Sequence, residues 1–350
     1  MSLKNYWAAT WVLANPSIVY RVVRGFARAM FGKNTLKIIE LFPTFACPSA
    51  CPICSIEKYQ KKKGPVLQID DYVKLADEGA KLGAIAVTIL GGEPFVYKQL
   101  PELVRIFKRK GFFCNIVTGG SGVTRKSLES LKEAGIGSIH FSLESLDKEI
   151  NDPLRGKGHV NNTMQNIQWC RELGIAAGLA PVFTPDGMQE AELVVRYGHE
   201  NNLKIAASQV AATGLAEKSA LLSSEQHGRI RQLLGVYPGL TLDWTMSYFF
   251  RHQCPAGKEK IGITAHGDVI GCSINNISFG NVRDEKLSTI WRRMGRFSQF
   301  KANAPVCLSA ESQDYIDNYL KPVHDANEYP LSYLQHPLMG PDKEPDLYKD

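Results

Sequence analysis

Three cysteines within eight residues set the terms for this chain. In Cys47-Pro48-Ser49-Ala50-Cys51-Pro52-Ile53-Cys54 the thiols fall four and three residues apart. A loop so spaced can wrap one corner of a metal cluster, giving three thiolates to four irons and leaving one iron open to a ligand. Other uses of thiols fit less well. A structural zinc takes four ligands, usually as two pairs, and the nearest downstream histidine is His140. A disulfide framework belongs to short, cysteine-rich secreted chains, whereas this one has 350 residues and eight cysteines. A ferredoxin-type cluster takes four thiolates, and no fourth lies nearby. The spacing therefore predicts an iron–sulfur site with one open position.

The rest of the composition is globular, 44% hydrophobic and 22% charged, with room for one large domain and a smaller one. A net charge of +6 is too weak a bias to predict a nucleic-acid partner. Six of the eight cysteines fall in metal-like settings, which suits a reducing, cytoplasmic compartment. No apolar run reaches the length of a membrane span. The start does not read as a signal peptide, since Lys4 is followed by aromatics, Asn15-Pro16 and then arginines.

Residues 1–35 read as an amphipathic helical segment. The apolar run 6–14 is broken by Asn15-Pro16, and Ser17 is placed to cap a helix over 18–31. Arg21, Arg24 and Arg28 share one face of that helix; Val19, Val22, Val23, Phe26 and Met30 lie opposite. Such a helix can lie on a membrane surface through residues 1–34. The commoner expectation is that it packs on the main domain with its arginines solvated.

From 36 to 215 strand-like and helix-like runs alternate. Strands are expected at 36–42, 84–90, 112–117, 138–143, 175–183 and 203–210. Helices are expected at 70–81, with Asp70 or Asp71 near the cap, and at 98–110, at 124–134 behind Thr124, at 160–173 and at 188–201. Strands each followed by a helix predict an α/β fold with a parallel sheet, curled or closed. In such barrels chemistry sits at the carboxyl ends of the strands, and the Cys loop follows the first strand. Gly91-Gly92-Glu93-Pro94 follows the second, on the same face. Its glycines let a ligand approach the backbone, Glu93 can accept from an ammonium group, and Pro94 stiffens the exit. Alone, this tetrapeptide is an ordinary turn.

Together, Cys47-x3-Cys51-x2-Cys54 and Gly91-Gly92-Glu93-Pro94 make residues 36–215 resemble the radical S-adenosylmethionine (SAM) enzymes. The resemblance implies a partial (β/α)6 TIM-like barrel and a 4Fe-4S cluster on Cys47, Cys51 and Cys54. SAM would chelate the open iron, with its amino group held by segment 91–94 and its adenine near the backbone of Ile53. Ser142 and Glu144 would meet the ribose, and Arg155 would partner the carboxylate. A low-potential donor, flavodoxin or ferredoxin, would supply the electron that cleaves SAM. The resulting 5′-deoxyadenosyl radical would take a hydrogen atom from the substrate. Such a radical needs a water-poor cavity. The cofactors carry the hard chemistry, so no side chain is singled out as catalytic.

Residues 216–310 carry a different pattern. A helix at 221–234 precedes Cys254, a hairpin turning at Gly267-Asp268, Cys272, a helix at 287–300 and Cys307. Cys254-x12-Gly267-x4-Cys272 with Cys307 resembles the twitch or SPASM extension, which implies a second, auxiliary iron–sulfur cluster. Ala310 stands where the extension's last cysteine would fall. The cluster could keep an open iron, take Glu311, Asp314 or His324 as its fourth ligand, or be lost; a cluster is expected. Cys114 and Cys170 read as core residues. The tail 311–350 covers the barrel mouth or is loosely ordered.

Relatives with this extension often modify peptides through an added N-terminal domain. The short stretch ahead of the first strand instead favours a small-molecule or lipid substrate, with oxidation, epimerisation or coupling as the outcome. A peptide-modifying maturase is the alternative. A non-radical iron–sulfur protein that carries electrons or senses, and a zinc-stabilised module, are the remaining ones.

Overall fold

The computed structural model describes residues 15–242, 253–301 and 304–340. The apolar run 6–14 and the end of the tail lie outside the described residues.

The β-branched runs form the expected parallel strands. They are β1 (Ile38–Leu41), β2 (Ala86–Ile89), β3 (Phe113–Thr118), β4 (Ser138–Phe141), β5 (Ala176–Leu179) with its continuation β6 (Val182–Phe183), and β7 (Lys204–Ala206) with its continuation β8 (Ser208–Gln209). Neighbours pair in parallel, with Ile38 opposite Ala86, Ala86 opposite Phe113, and Asn115 opposite Ser138. Along β3, Cys114, Ile116 and Thr118 are buried while Phe113, Asn115 and Val117 line the lumen, as the two-residue period of a strand requires. Beyond Leu179 and Ala206 the fifth and sixth strands part from the main sheet, and β6 and β8 pair with each other.

Helices cover the outer face: α1 (Pro16–Met30), α2 (Ile69–Leu82), α3 (Leu100–Arg109), α4 (Arg125–Ala134), α5 (Lys148–Arg155), α6 (His159–Glu172), α7 (Met188–Glu200) and α8 (Ser224–Val236). Thr124 caps α4 as expected: its hydroxyl accepts from the Ser127 amide at 3.1 Å, and the Ser127 hydroxyl accepts from the Thr124 amide at 2.9 Å. Asp70 and Asp71 lie in the first turn of α2, near its cap as expected, whereas the cap of α1 falls elsewhere than expected. Gln68 occupies the cap of α2, with Asp71 one turn in and accepting from the Gln68 amide. Asn15, not Ser17, caps α1, because Pro16 takes the first helical position, where its missing N–H costs nothing. The arginines of α1 face the protein and not solvent, the reverse of the expectation, because α2 and α3 end beside them and offer carbonyls. Arg21 donates to the carbonyls of Ala84 at 2.6 Å, Lys110 at 2.8 Å and Gly111 at 3.2 Å, Arg24 to that of Lys81 at 2.8 Å and Arg28 to that of Asn34 at 3.0 Å.

Past residue 215 the sheet continues. β9 (Leu240–Thr241) follows α8 and pairs in parallel with β7. At the other edge β10 (Lys260–Ile263) pairs in parallel with β1, Ile38 opposite Lys260 and Leu41 opposite Ile263. β11 (Asp268–Cys272) turns back from β10 through Gly267, whose φ of +93° suits glycine. β12 (Asn275–Asn281), α9 (Leu287–Met294) and β13 (Leu331–Ser332) complete the unit. The C-terminal unit thus extends the barrel sheet, which runs through 11 strands among the described residues.

Candidate active site

The Cys loop leaves the carboxyl end of β1 and is clamped by glycines from two sides. The amides of Gly92 and Glu93 donate to the Thr44 and Ala46 carbonyls at 2.9 Å each. A Cβ on Gly92 would lie 2.2 Å from the Ala46 oxygen, and one on Gly91, at φ +130°, 2.6 Å from the Thr44 oxygen. These glycines therefore let the segment press against the Cys loop itself, a closer constraint than the ligand approach expected of them. From the far side Gly214 does the same: a Cβ there would lie 2.3 Å from the Cys54 carbonyl oxygen, which the Leu215 amide meets at 2.9 Å.

Glu93 is buried and ties strand ends together. Its carboxylate accepts from the Thr118 hydroxyl at 2.6 Å and from the Phe95 and Gly119 amides at 3.0 Å each. Burial holds this carboxyl above its ordinary range, against the pull of those donors. The side chain is thus spent on β3, and an ammonium group would find backbone carbonyls of the segment instead.

Glu144 and Arg155, expected in separate roles, form one ion pair. The Arg155 guanidinium donates to Glu144 Oε1 through Nε at 3.0 Å and also through Nη2; Glu144 Oε2 accepts from the Val182 amide at 2.7 Å. Nη1 of Arg155 lies 3.6 Å from Cys51 Sγ. Burial would pull Arg155 down, but Glu144 and Cys51 beside it keep it raised.

Cys47, Cys51, Cys54, Ile53, Ser142 and Arg155 line one cavity of about 210 Å³, together with segment 91–93. The structure therefore gathers the expected residues except two: Pro94 sits buried behind the wall, and Glu144 stands behind Arg155 and reaches the cavity only through that pair. It adds several the sequence reading missed. His159 donates from Nε2 to the Gly119 carbonyl at 2.8 Å and accepts at Nδ1 from Asn151 at 3.1 Å. The Asn151 oxygen in turn accepts from the Glu144 amide at 3.0 Å. Gly119-Gly120, following β3, was the one visible signal, since it repeats the glycine pair after β2.

Ser142, Leu90, Val117 and Val182 also line a second cavity of about 310 Å³ that continues down the barrel lumen. This lumen is largely apolar but carries a cluster of polar side chains. Asn115 Oδ1 accepts from the Ser138 hydroxyl at 2.8 Å and from His140 Nδ1 at 2.9 Å. Burial first, and Lys204 second, bring the His140 pKa down to about 4, so the ring is neutral. Glu40 pairs with Lys260 at 3.0 Å and accepts from the Ser273 amide at 2.7 Å, which joins the lumen to the C-terminal unit.

In that unit Cys254, Cys272 and Cys307 converge. Burial pushes the Cys272 thiol well up, and Glu40, Cys254 and Cys307 add to the effect. The Asn275 carboxamide nitrogen donates to Tyr315 at 2.6 Å, while its buried oxygen accepts no hydrogen bond. Two proposed fourth ligands are committed elsewhere. Glu311 accepts from the Cys307 amide at 3.1 Å, Gln209 at 3.0 Å and Arg231 at 2.8 Å, and exposed Asp314 accepts from Asn318 at 2.9 Å. Among the described residues no group of three or more His, Cys, Asp or Glu is close enough to hold one metal ion.

A family model for the radical SAM superfamily matches residues 41–197, and one for the SPASM iron–sulfur cluster-binding domain matches 254–312. The chain belongs to the radical SAM superfamily. This radical SAM enzyme is 26% identical to the PqqA peptide cyclase of Methylocella silvestris over 74% of each chain. It is 27% identical to that of Gluconobacter oxydans over 77% of its own length and 81% of the relative's. Its fold matches Streptococcus suis SuiB bound to SAM, with a TM-score of 0.62 at 18% identity over 74% of this chain. That match spans 66% of the SuiB chain. It also matches anSMEcpe with bound SAM, with a TM-score of 0.57 at 12% identity over 78% of this chain and 83% of that one.

The two domains bring a 4Fe-4S cluster, SAM and an auxiliary iron–sulfur site. The residues present fit the first cluster, since three thiols and no competing acceptor of that kind ring the 210 Å³ cavity. In donor chemistry they also suit the second, where Cys254 and Cys307 act on the buried Cys272 thiol and the buried Asn275 oxygen accepts no hydrogen bond. Burial raises the Cys47 and Cys54 thiols, and a coordinating iron removes such protons outright. No helix among the described residues is long and apolar enough to cross a membrane.

Proposed function

We propose that this radical SAM enzyme modifies a peptide, drawing one side chain of it into the lumen toward the Cys loop. The observation that carries this reading is the kinship, over three quarters of both chains, with proteins named PqqA peptide cyclase. SuiB, which shares the fold, has been seen bound to its precursor peptide SuiA. The small-molecule or lipid substrate expected from the sequence rested on the short stretch ahead of β1. That stretch says nothing about what the lumen accepts, and the expectation gives way.

Each side chain then has a task. Cys47, Cys51 and Cys54 hold the cluster, which with SAM supplies the hydrogen-abstracting radical. Segment 91–93 would hold the amino group of SAM, and Ile53 would border the adenine. Arg155 would offer its charge to the SAM carboxylate, with Glu144 fixing its orientation from one side, and Ser142 would meet the ribose. Cys254, Cys272 and Cys307 hold the auxiliary cluster. Asn115, Ser138 and neutral His140 offer hydrogen bonds to a polar substrate side chain without adding charge to the lumen. The chain works in a reducing, cytoplasmic compartment, fed by a flavodoxin or ferredoxin.

The test uses anaerobically reconstituted full-length protein, SAM, dithionite and the short peptides encoded beside its gene. The expected result is a peptide altered in mass or stereochemistry, with 5′-deoxyadenosine formed in proportion. Turnover of a sugar or lipid with every such peptide unchanged would refute the peptide reading while leaving the family assignment intact.

A further inference from the structure

The auxiliary site is one ligand short. Cys254, Cys272 and Cys307 supply three thiols, and buried Ala310 stands where a fourth would fall. A four-iron cluster so held has one iron without a thiolate. Glu311 is spent on Arg231, Gln209 and the Cys307 amide, and Asp314 on Asn318. His324 lines a separate cavity with Asp317, Lys321 and Asp325.

One buried oxygen beside the thiols is not spent. Asn275 opens β12 directly opposite Cys272, the last residue of β11. Side chains so paired project from the same face of an antiparallel pair. The Asn275 carboxamide lies against the strand it faces, since a Cβ on Gly271 would come 3.2 Å from Asn275 Cγ. Its nitrogen end is fixed, donating to the Tyr315 hydroxyl at 2.6 Å. Tyr315 is itself buried, and Cys254 and Cys272 act on its phenol, which puts it on the same side as the thiols. Oδ1 of Asn275 is then the free end of a residue with 0% exposure, and it accepts no hydrogen bond. A buried acceptor ordinarily has a partner, and an orphaned one calls for a group the protein does not itself provide. A carboxamide oxygen has no proton to lose before it meets a metal.

We propose that Asn275 Oδ1 is the fourth protein ligand of the auxiliary cluster, meeting the iron that Ala310 leaves without a thiolate. Tyr315 is the positioning residue that turns this oxygen inward. The inference rests on the auxiliary cluster and is independent of the substrate reading. It makes the auxiliary iron a closed one, with no place for a substrate atom.

The test uses the full-length chain carrying Cys47→Ala, Cys51→Ala and Cys54→Ala, reconstituted anaerobically with iron and sulfide. The auxiliary cluster is then the only one, at about four irons per chain. The readout is the electron paramagnetic resonance of the dithionite-reduced cluster, titrated with imidazole. The parent signal should not move. Asn275→Leu, which removes the ligand at similar volume, should give a signal that imidazole shifts and a cluster that sheds one iron on ferricyanide oxidation. Asn275→Asp should close the iron again through its carboxylate. Tyr315→Phe should loosen the fourth iron roughly tenfold toward a chelator while the other three stay. Four results would overturn the proposal. Imidazole shifting the parent signal would mean an open iron. An Asn275→Leu cluster as closed as the parent would remove the ligand role. A closed cluster with only its midpoint potential moved would mean that the carboxamide donates N–H to a sulfur instead. A parent chain that takes up no iron would remove the auxiliary cluster and the proposal with it. Should Asn275→Leu lose all its iron, Asn275→Asp decides: a closed cluster with a changed signal supports the ligand, and a signal identical to the parent's refutes it.

Discussion

Arg155 holds two neighbours at once, Glu144 and Cys51, so its replacement should be felt twice. Arg155→Met leaves a largely buried carboxylate without its partner and removes the cation proposed to meet the SAM carboxylate. SAM affinity should fall tenfold or more, about 1.4 kcal/mol, read from the spectral change on SAM addition. Arg155→Lys should not restore it, because one ammonium cannot reproduce the forked contact. His140 makes a prediction about pH. Its neutral form is the one the fold accepts, with a pKa brought down to about 4 against an ordinary 6.5. The unfolded chain therefore binds the proton first. Stability contributed by the neutral ring is complete above pH 6.5 and is lost as pH falls toward 4, by about 3 kcal/mol. Urea melts at pH 7 and pH 5 should show the loss, and a His140→Gln variant should show less of it. The cysteines were legible in the sequence because ligand spacing along one loop is a local fact. His159, Asn151 and Thr118 were not, since each is a single polar residue that only barrel curvature brings beside the thiols.

At the scale of elements, the strand and helix periods were readable nearly to their ends, while the purposes of the connecting glycines were not. Gly91 and Gly92 line the cavity beside the cysteines, and they also serve backbone-to-backbone packing against 44–46, which the sequence did not reveal. Gly92→Ala puts a carbon 2.2 Å from the Ala46 oxygen, where only backbone can yield. The cost should be about 2–4 kcal/mol, with loss of the first cluster measured as a fall from ~eight irons per chain toward ~four. The orientation of α1 was hidden for a related reason. Helical periodicity sorts residues into two faces but does not say which face turns inward, and three arginines outbid the valines because helix ends offered them carbonyls. Arg21→Ala should therefore cost about 2–3 kcal/mol by leaving those buried carbonyls unmet, and should let limited proteolysis remove residues before 31.

Across the whole molecule, the buried Glu40–Lys260 pair is the polar joint between barrel and C-terminal unit. Glu40→Gln strands the Lys260 charge at 2% side-chain exposure and weakens the hold on Ser273, next to Cys272. A loss of about 3–5 kcal/mol is expected, with iron lost from the auxiliary site before the first one, read by iron titration along a denaturant series. The pairing of β1 with β10 has a practical corollary. A fragment ending before residue 260 would bare one flank of β1, the strand from which the Cys loop departs. Unsatisfied amides and carbonyls in a row invite any passing strand to add itself. The isolated first domain should therefore clump rather than stay monomeric, which makes the C-terminal unit a guard against self-association as well as a bed for its own thiols.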